Sequence, residues 1–349
     1  MTPEQIPYGI YTHINFAFAT IDPTTFEVKA SSPGADDLMK RMKNVKILQN
    51  GVQLWIAIGG WTFNDANQPT ANVFSQLAAS TAHQDAFANS LISMMNTYGF
   101  DGVDIDWEYP RADDRNGKPE DYKNLVSWMK NLKAKLDKKG LSITIPSSFW
   151  YMQHFDIVAL EKSVDWFNVM LYDLHGSWDL LGKFTGPYIN THTNLTEIQD
   201  SLDLLWRNKI NPDKLVFGMA FYGRSFTLTN PSCSTPGCIF ASGGNAGECS
   251  NTAGVLLNPE IHKIIDNEKL TPVFYEKEAV KTINWGNQWV SYDDADTWAI
   301  KSKLLKEQCL KNIMVWAISH DDLNGTYAKE LTKAVGREGW YSKSLEEQL

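Results

Sequence analysis

The stretch Tyr98 to Pro110, YGFDGVDIDWEYP, decides how the rest of the chain is interpreted. Within it, Asp104, Asp106 and Glu108 alternate with apolar residues. This period-2 pattern predicts a β-strand whose two faces differ, with all three carboxyls on one face. Neighbouring carboxyls then stand about 6.6 Å apart along the backbone, close enough for their side chains to interact. Because three like charges in a partly desolvated place cannot all ionise freely, we expect this acid row to share protons and keep one carboxylic acid protonated.

The predicted strand has two possible settings in a sheet. A solvated edge strand can carry acids on its outer face without doing any chemistry. The apolar residues between the acids, with Tyr98 and Phe100 before them, instead favour a buried strand of a parallel sheet. Since acids are seldom buried without a purpose, the row is a candidate active site.

Residues 101–108, DGVDIDWE, resemble the DxxDxDxE signature of glycoside hydrolase family 18, the chitinases and their relatives. In that family the strand is the fourth of a TIM barrel, and its last Glu is the catalytic acid. The resemblance therefore implies that Glu108 donates a proton to the glycosidic oxygen. It also implies that Asp106 holds the acetamido group of the substrate and that Asp104 supports Asp106.

A narrower resemblance within the family points to fungal class V chitinases, especially those related to killer-toxin subunits. It is carried by the phrases SSFWYMQHFD, YDLHGSWD, THTNLTEI and PSCSTPGC.

The segment QLWIAIGG at residues 53–60 is a short apolar run that ends in a glycine pair. It predicts a buried parallel strand that delivers its C-terminal end to a ligand. The segment resembles the family motif SxGG with its trailing Trp, here Trp61, which lines the sugar groove in relatives. Ala57 stands where the family has a serine that helps to hold the innermost Asp, so the sequence leaves open how Asp104 is satisfied.

VDWFNVMLYD at residues 164–173 predicts another strand and resembles the family motif MxYD. On that resemblance Tyr172 is a fourth catalytic residue, because charge developing on an acetamido group needs a donor such as a phenol. The alternative is that Tyr172 is an ordinary strand-end aromatic, and Trp316 has the corresponding alternative of a buried core residue. The resemblance assigns further substrate contacts to Tyr109, Met170, Asp173, Trp178, Tyr222, Arg224 and Trp316.

The whole chain predicts an α/β fold, a TIM (β/α)8 barrel with a small α+β insertion between strands seven and eight. Seven strands are predicted to begin at Thr12, Gln53, Gly102, Leu141, Val164, Lys214 and Asn312. Helices are predicted at residues 36–50, 83–98, 121–138, 195–206, 258–266 and 295–309. The barrel is expected at 1–225 and 293–349, and the insertion at 226–292. Because a closed barrel needs eight strands, we expect the family's first strand to lie upstream of this chain.

Composition narrows the partners of the chain. It has 349 residues, a net charge of −9 and no Lys/Arg clusters, which argues against nucleic acid or anionic membranes. The sequence contains no run of 18 apolar residues, so it predicts no membrane-spanning helix. Thirteen Trp and thirteen Tyr suit the stacking of sugar rings, although most of them could be core residues. We expect a monomer with no metal or organic cofactor.

The four cysteines bear on the compartment of the protein. Three of them, Cys233, Cys238 and Cys249, crowd a Gly/Ser/Pro-rich loop without a His at metal-ligand spacing. We favour one or two disulfides over free thiols, and hence an oxidising compartment. The N-terminus MTPEQIPYG lacks the features of a signal peptide, which fits either a cytosolic protein or a chain whose start has been trimmed. Because of the expected disulfides, we favour a secreted protein whose signal peptide is not part of this chain.

The function implied by the resemblance is hydrolysis of β-1,4-linked N-acetylglucosamine polymers, with retention and with the substrate's own acetamido group as nucleophile. Three alternatives stay open from the sequence: a chitin-binding, lectin-like protein, a toxin subunit, and an endo-β-N-acetylglucosaminidase that acts on glycoproteins.

Overall fold

The computed structural model of the chain describes residues 1–337, which form two units. The first unit comprises residues 2–169 and 204–216, and the second comprises residues 1, 170–203 and 217–337. The predicted division into a barrel and an insertion at 226–292 stays a prediction. The last part of the predicted barrel, residues 338–349, lies outside the described residues.

The sheet of the first unit contains six strands, and the sequence predicted five of them. They are β1 (His13–Ile21), β2 (Val28–Ala30), β3 (Gln53–Gly59), β4 (Gly102–Asp106), β5 (Gly140–Pro146) and β6 (Trp166–Met170). Their order in the sheet is β6-β5-β4-β3-β1-β2. The pairs β1–β3, β3–β4 and β4–β5 are parallel, whereas the short β2 pairs antiparallel with β1.

Helices connect these parallel strands. They are α1 (Pro33–Leu48), α2 (Val73–Ala78), α3 (Thr81–Tyr98), α4 (Asp121–Leu136), α5 (Phe149–Met152) and α6 (Ile157–Leu160). Helix α3 begins after Ser80, whose Oγ accepts a hydrogen bond from the His83 amide. It ends at Gly99, which takes the left-handed conformation (φ +77°) that terminates many helices. The chain thus enters β4 directly from a capped helix.

Strand β4 is central and buried, so the alternative of a solvated edge strand is wrong. It lies between β3 and β5, and all five of its residues are buried. Just beyond it, the Trp107 ring lies 5.3 Å from the Phe74 ring and 6.4 Å from the Trp128 ring. Burying an aromatic side chain of this kind stabilises the fold by about 1.5–3 kcal/mol.

The second unit contains a six-stranded antiparallel sheet between Tyr222 and Tyr292. Its strands are β8 (Tyr222–Leu228), β9 (Phe240–Gly243), β10 (Val255–Leu257), β11 (Val273–Tyr275), β12 (Val280–Trp285) and β13 (Gln288–Tyr292). The order is β10-β8-β13-β12-β11, and β9 also pairs with β8. The last predicted strand forms as β14 (Asn312–Trp316), and the helices are α8 (Asn258–Glu268), α9 (Ala295–Glu307) and α10 (Thr326–Ala334). Three predicted elements cross a unit boundary along the chain: β6, of which Met170 lies in the second unit, α7 (Leu195–Arg207) and β7 (Leu215–Ala220).

The cysteines bear out the prediction of at least one disulfide. Cys233 and Cys238 are bonded to each other, while Cys249 and Cys309 are free and exposed. Within residues 1–337, no helix combines the length and the apolar character needed to cross a membrane.

Candidate active site

The acid row lies at the C-terminal end of β4, within the first unit. Asp104, Asp106 and Glu108 are only 3%, 7% and 8% exposed. Water is therefore largely excluded from three neighbouring carboxyls, which is the setting in which their protonation states become coupled. The alternation predicted from the sequence brings the three residues together at one end of the strand.

Asp104 is held by three neutral donors from the two strands that follow β4. Its Oδ1 accepts hydrogen bonds from Ser142 Oγ at 2.5 Å and from Asn168 Nδ2 at 2.9 Å. Its Oδ2 accepts one from Thr144 Oγ1 at 2.8 Å. These partners supply what Ala57 cannot. Burial raises the pKa of Asp104, while the three hydrogen bonds oppose the rise.

Asp106 is the least satisfied member of the acid row. Its Oδ1 is buried and has no hydrogen-bond partner within residues 1–337. Burial raises the pKa of Asp106 well above its ordinary value, and the charges of Glu108 and Asp104 raise it further. A raised pKa favours the neutral form of a carboxyl, and in that form the group can donate a hydrogen bond.

The backbone of β3 makes room for the acid row through the predicted glycine pair. Gly59 adopts φ +116°, and a Cβ there would lie 2.0 Å from the carbonyl oxygen of Asp106. The Gly60 amide donates a 2.9 Å hydrogen bond to the same oxygen. Only glycine fits at position 59, so the pair sets the close approach of β3 to the acid row.

Trp61 and Tyr109, both predicted substrate contacts, come directly after the glycine pair of β3 and after Glu108, respectively. Trp61 is half exposed, and its ring meets that of Tyr109 edge-on at 6.4 Å. Tyr109 is buried and stacks on Tyr151 at 4.2 Å. Burial raises the pKa of Tyr109 well above its ordinary value, and the charge of Glu108 adds to this, so the phenol stays neutral. The exposed indole of Trp61 offers a face on which a sugar ring can stack.

The second unit gathers most of the remaining predicted residues. Tyr172 and Tyr222 are buried with Ala220, and the partly buried Met170 and Trp316 pack against them. Trp316 is thus not a fully buried core residue. The structure brings these residues into one cluster, but it does not test their roles.

Asp173 forms a dense polar cluster in the second unit. Arg224 donates two hydrogen bonds to its carboxylate, at 2.7 and 2.6 Å, and Tyr222 Oη donates a third at 2.7 Å. His192 Nδ1 lies 3.6 Å from Asp173 Oδ1. Desolvation would raise the pKa of Asp173, but the charge of Arg224 and the hydrogen bonds outweigh it and keep the pKa below its ordinary value. The carboxylate is therefore ionised.

Trp178 lies in a segment that is secured by a histidine. Its ring is nearly half exposed, and the Arg224 guanidinium lies 4.7 Å from the ring centre. Nearby in the chain, His175 Nδ1 lies 2.7 Å from Asp179 Oδ2, and Nε2 lies 3.0 Å from Glu197 Oε1. Burial lowers the pKa of His175, but the two carboxylates outweigh it and raise the pKa to about 9. The sequence interpretation missed this histidine.

Sequence interpretation also missed the partners of Asp104. The signal was present for two of them, because Ser142 and Thr144 alternate in LSITIP as the acids do in VDIDWE. Two hydroxyls on one face of the next strand match two positions of the acid row. Asn168 had no comparable signal.

The model of Glycosyl hydrolases family 18 matches residues 2–321. The chain belongs to this family. Among the curated relatives of this chain, the Killer toxin subunits alpha/beta of Kluyveromyces lactis are 36% identical over 77% of this chain and 23% of their own length. The Secreted chitinase LysM12 of Penicillium expansum is 30% identical over 92% of this chain and 22% of its own length. The chain thus spans about a quarter of the length of these relatives.

Solved structures of the family show the same fold. A mutant class V chitinase from Nicotiana tobaccum, solved in complex with NAG4, matches with a TM-score of 0.85. The match has 21% sequence identity and covers 97% of this chain and 96% of that one. The family 18 chain therefore has a TIM-barrel-like α/β fold, as the sequence predicted.

Proposed function

We propose that this family 18 chain hydrolyses β-1,4-linked N-acetylglucosamine polymers by a retaining, substrate-assisted mechanism. The acid row carries the proposal, because one strand end holds Glu108 beside Asp106, whose pKa is raised by burial and by its acidic neighbours, and Asp104 lies behind them. The names of the curated relatives and the NAG4 complex of the tobacco protein agree with this substrate class.

In the proposed first step, Glu108 protonates the bridging oxygen of the bond that breaks. The carbonyl oxygen of the substrate's own acetamido group attacks the anomeric carbon, and the sugar on the far side leaves as an alcohol. Asp106 orients the acetamido group and stabilises the oxazolinium-like intermediate. Water, deprotonated by Glu108, then opens the intermediate from the opposite face, so the product retains its configuration.

The state of Asp106 favours this mechanism over one with two enzyme carboxylates. A two-carboxylate retaining hydrolase needs an ionised nucleophile about 5 Å from the acid, on the other side of the bond. Asp106 shares a strand face with Glu108, and burial raises its pKa, so it is a poor nucleophile. The nucleophile must then come from the substrate, which restricts the substrate to 2-acetamido sugars.

The roles predicted for the second unit stay predictions. They concern Tyr172 as a donor to the acetamido group, and Met170, Asp173, Trp178, Tyr222, Arg224 and Trp316 as substrate contacts. We also propose that the protein acts outside the cell, which the Cys233–Cys238 disulfide supports. The relative named a secreted chitinase supports it as well.

The experiment is hydrolysis of chitohexaose followed by proton NMR of the new reducing ends. Excess β-anomer at early times supports retention, whereas excess α-anomer contradicts the mechanism. We expect Glu108→Gln to lower kcat by about 10²–10⁴-fold and to keep oligosaccharide binding. Glu120→Gln, which changes an exposed acid twelve residues further on, is the matched control and should behave like the wild type.

A further inference from the structure

Arg115 is a buried cation in the loop that follows the acid row, and neither the family motif nor the mechanism above uses it. Its side chain is 7% exposed. The residue ends a short 3-10 turn, Asp113–Arg115, in the charged segment ADDRNGKPE. Because burying a guanidinium costs free energy unless every donor is used, its contacts indicate what it is for.

The contacts of Arg115 join two residues of the candidate site. Its Nε donates a 2.9 Å hydrogen bond to the backbone oxygen of Glu108. Its Nη2 donates to the backbone oxygen of Trp61, and its guanidinium carbon lies 3.7 Å above the centre of the Trp61 ring. Its Nη1 donates at 2.9 Å to Asp65, which balances the charge. One side chain thus fixes the main chain of the proposed acid and both the main chain and the ring of the exposed Trp.

The loop around Arg115 is itself held in place. Asn116 Nδ2 donates a 2.7 Å hydrogen bond to the backbone oxygen of Asn64. The buried carboxylate of Asp121 accepts hydrogen bonds from the amides of Arg111 and Lys118 and from Ser75 Oγ. The guanidinium is therefore presented by a preorganised segment, so it can act as a fixed point for its neighbours.

We propose that Arg115 is a positioning residue that sets the Glu108 backbone and the Trp61 ring in one geometry. The proposal rests on the proposed function in assigning Glu108 as the acid and Trp61 as a sugar platform. A planar fork that donates in three directions and stacks on an indole is specific to Arg, and a Lys ammonium cannot reproduce it. Arg115 then links the point at which the sugar chain is held to the point at which the proton is delivered.

The kinetic test compares Arg115→Met and Arg115→Lys with the wild type on chito-oligosaccharides. Because small displacements of reacting groups are costly, we expect Arg115→Met to lower kcat by about 10–100-fold and to raise KM by about 3–10-fold. Arg115→Lys should stay close to Arg115→Met if the fork and the stacking matter. Full recovery with Lys would overturn the proposal, because it would mean that only a positive charge is needed.

Arg41→Met is the matched control, since it removes an exposed, ion-paired guanidinium from the same unit. It should leave kcat and KM within about twofold of the wild type, as is usual for surface pairs. Equal kinetic losses in Arg41→Met and Arg115→Met would overturn the proposal.

A second readout does not depend on activity. The emission of Trp61 is isolated as the difference between a protein and its Trp61→Phe derivative, in the wild type and in the Arg115→Met background. We expect the difference spectrum and its quenching by acrylamide to change when the guanidinium leaves the ring. An unchanged Trp61 signal would overturn the proposal, even if the wild type proves inactive on chitin fragments and the proposed function fails.

Asp65→Asn keeps the test decisive if Arg115→Met does not fold. It removes one ionic partner of Arg115 and leaves the contacts to Glu108 and Trp61 in place. We expect a change of about two- to fivefold in kcat, in the direction of Arg115→Met, and a smaller change in Trp61 emission. Loss of thermal stability in Asp65→Asn with unchanged kcat, KM and Trp61 emission would show a purely structural role and overturn the proposal.

Discussion

The nearly buried acid row of the first unit and the Asp173 carboxyl of the second, which is about one-third exposed, are held in two opposite ways. Asp104 and Asp106 have raised pKa values because burial dominates, and the donors around Asp104 are uncharged. Asp173 has a lowered pKa because a bidentate Arg224 dominates. The first arrangement can hold and pass a proton, whereas the second maintains a fixed charge. This difference in protonation is the reason to place the chemistry at the acid row.

The largest expected effect tests whether the ability of Asp106 to gain and lose a proton matters. Asp106→Asn keeps the size and one hydrogen-bond donor but can no longer ionise or exchange a proton. Because orientation and charge stabilisation near the reacting group are lost, we expect kcat to fall by about 10²–10³-fold. Steady-state kinetics on chito-oligosaccharides measure it, with the exposed Asp37→Asn as control. Activity within about threefold of the wild type would break the comparison, because the raised pKa of Asp106 would then serve no step of the reaction.

The next effect tests the backbone that brings β3 to the acid row. In Gly59→Ala, the new Cβ would lie 2.0 Å from the Asp106 carbonyl oxygen, at a φ of +116°. We expect a loss of at least about 3 kcal/mol in the free energy of unfolding, measured by chemical denaturation. Gly51→Ala is the matched control, since Gly51 also has positive φ but open space around it. It should cost about 1 kcal/mol, and equal losses would mean that the crowding at Asp106 is not the cause.

The third effect is a pH dependence that belongs to the second unit. His175 has a folded pKa of about 9, above its unfolded value, because Asp179 and Glu197 face its two ring nitrogens. Its stabilisation is therefore fully present below about pH 6.5 and is lost as the pH rises through about 9. The shift in the pKa of His175 limits its contribution to the free energy of unfolding to about 3 kcal/mol.

Unfolding free energies measured from pH 6 to pH 10 check this. His175→Gln should be less stable than the wild type at pH 6, and the gap should close towards pH 10 because both residues are then neutral. Glu197→Gln leaves one carboxylate, that of Asp179, beside the His175 ring. At pH 6 its loss of unfolding free energy relative to the wild type should be smaller than that of His175→Gln. A gap that stays constant with pH would show that His175 contributes by packing and not by its charge.

Most of the fold could be predicted from local sequence patterns. What the sequence did not predict depends on contacts between residues that lie in different segments of the chain. The seven predicted strands start within two residues of their predicted positions, because buried parallel strands are continuous apolar runs. Strands such as β9 and β10 in the second unit were missed because they are only four and three residues long, too short for a pattern to mark them. The acid row was visible because its three members share one strand. The roles of Asn168 and Arg115 were not visible in the sequence, because each residue contacts its partner from another segment of the chain and no periodic pattern marks it.

The smallest effect compares one support from each region directly. Ser142→Ala removes a neutral donor from Asp104, which can respond by holding a proton, so we expect a loss of about 1 kcal/mol. Arg224→Met removes the cation from Asp173 and leaves an ionised carboxylate beside Tyr222. Since that carboxyl is about one-third exposed, water screens part of the penalty, and we expect about 2 kcal/mol.

The effects of Ser142→Ala and Arg224→Met on stability should also differ in their pH dependence, because Asp104 and Asp173 are held in different ways. The pKa of Asp173 is lowered in the folded protein, so its contribution is present above the unfolded pKa and is lost as the pH falls through the folded value. The penalty of Arg224→Met should therefore shrink in acid below about pH 4. The raised pKa of Asp104 means that the penalty of Ser142→Ala should shrink at a higher pH than that. Chemical denaturation across pH 3–7 measures both, and identical pH profiles would show that the two carboxyls are held in the same way after all.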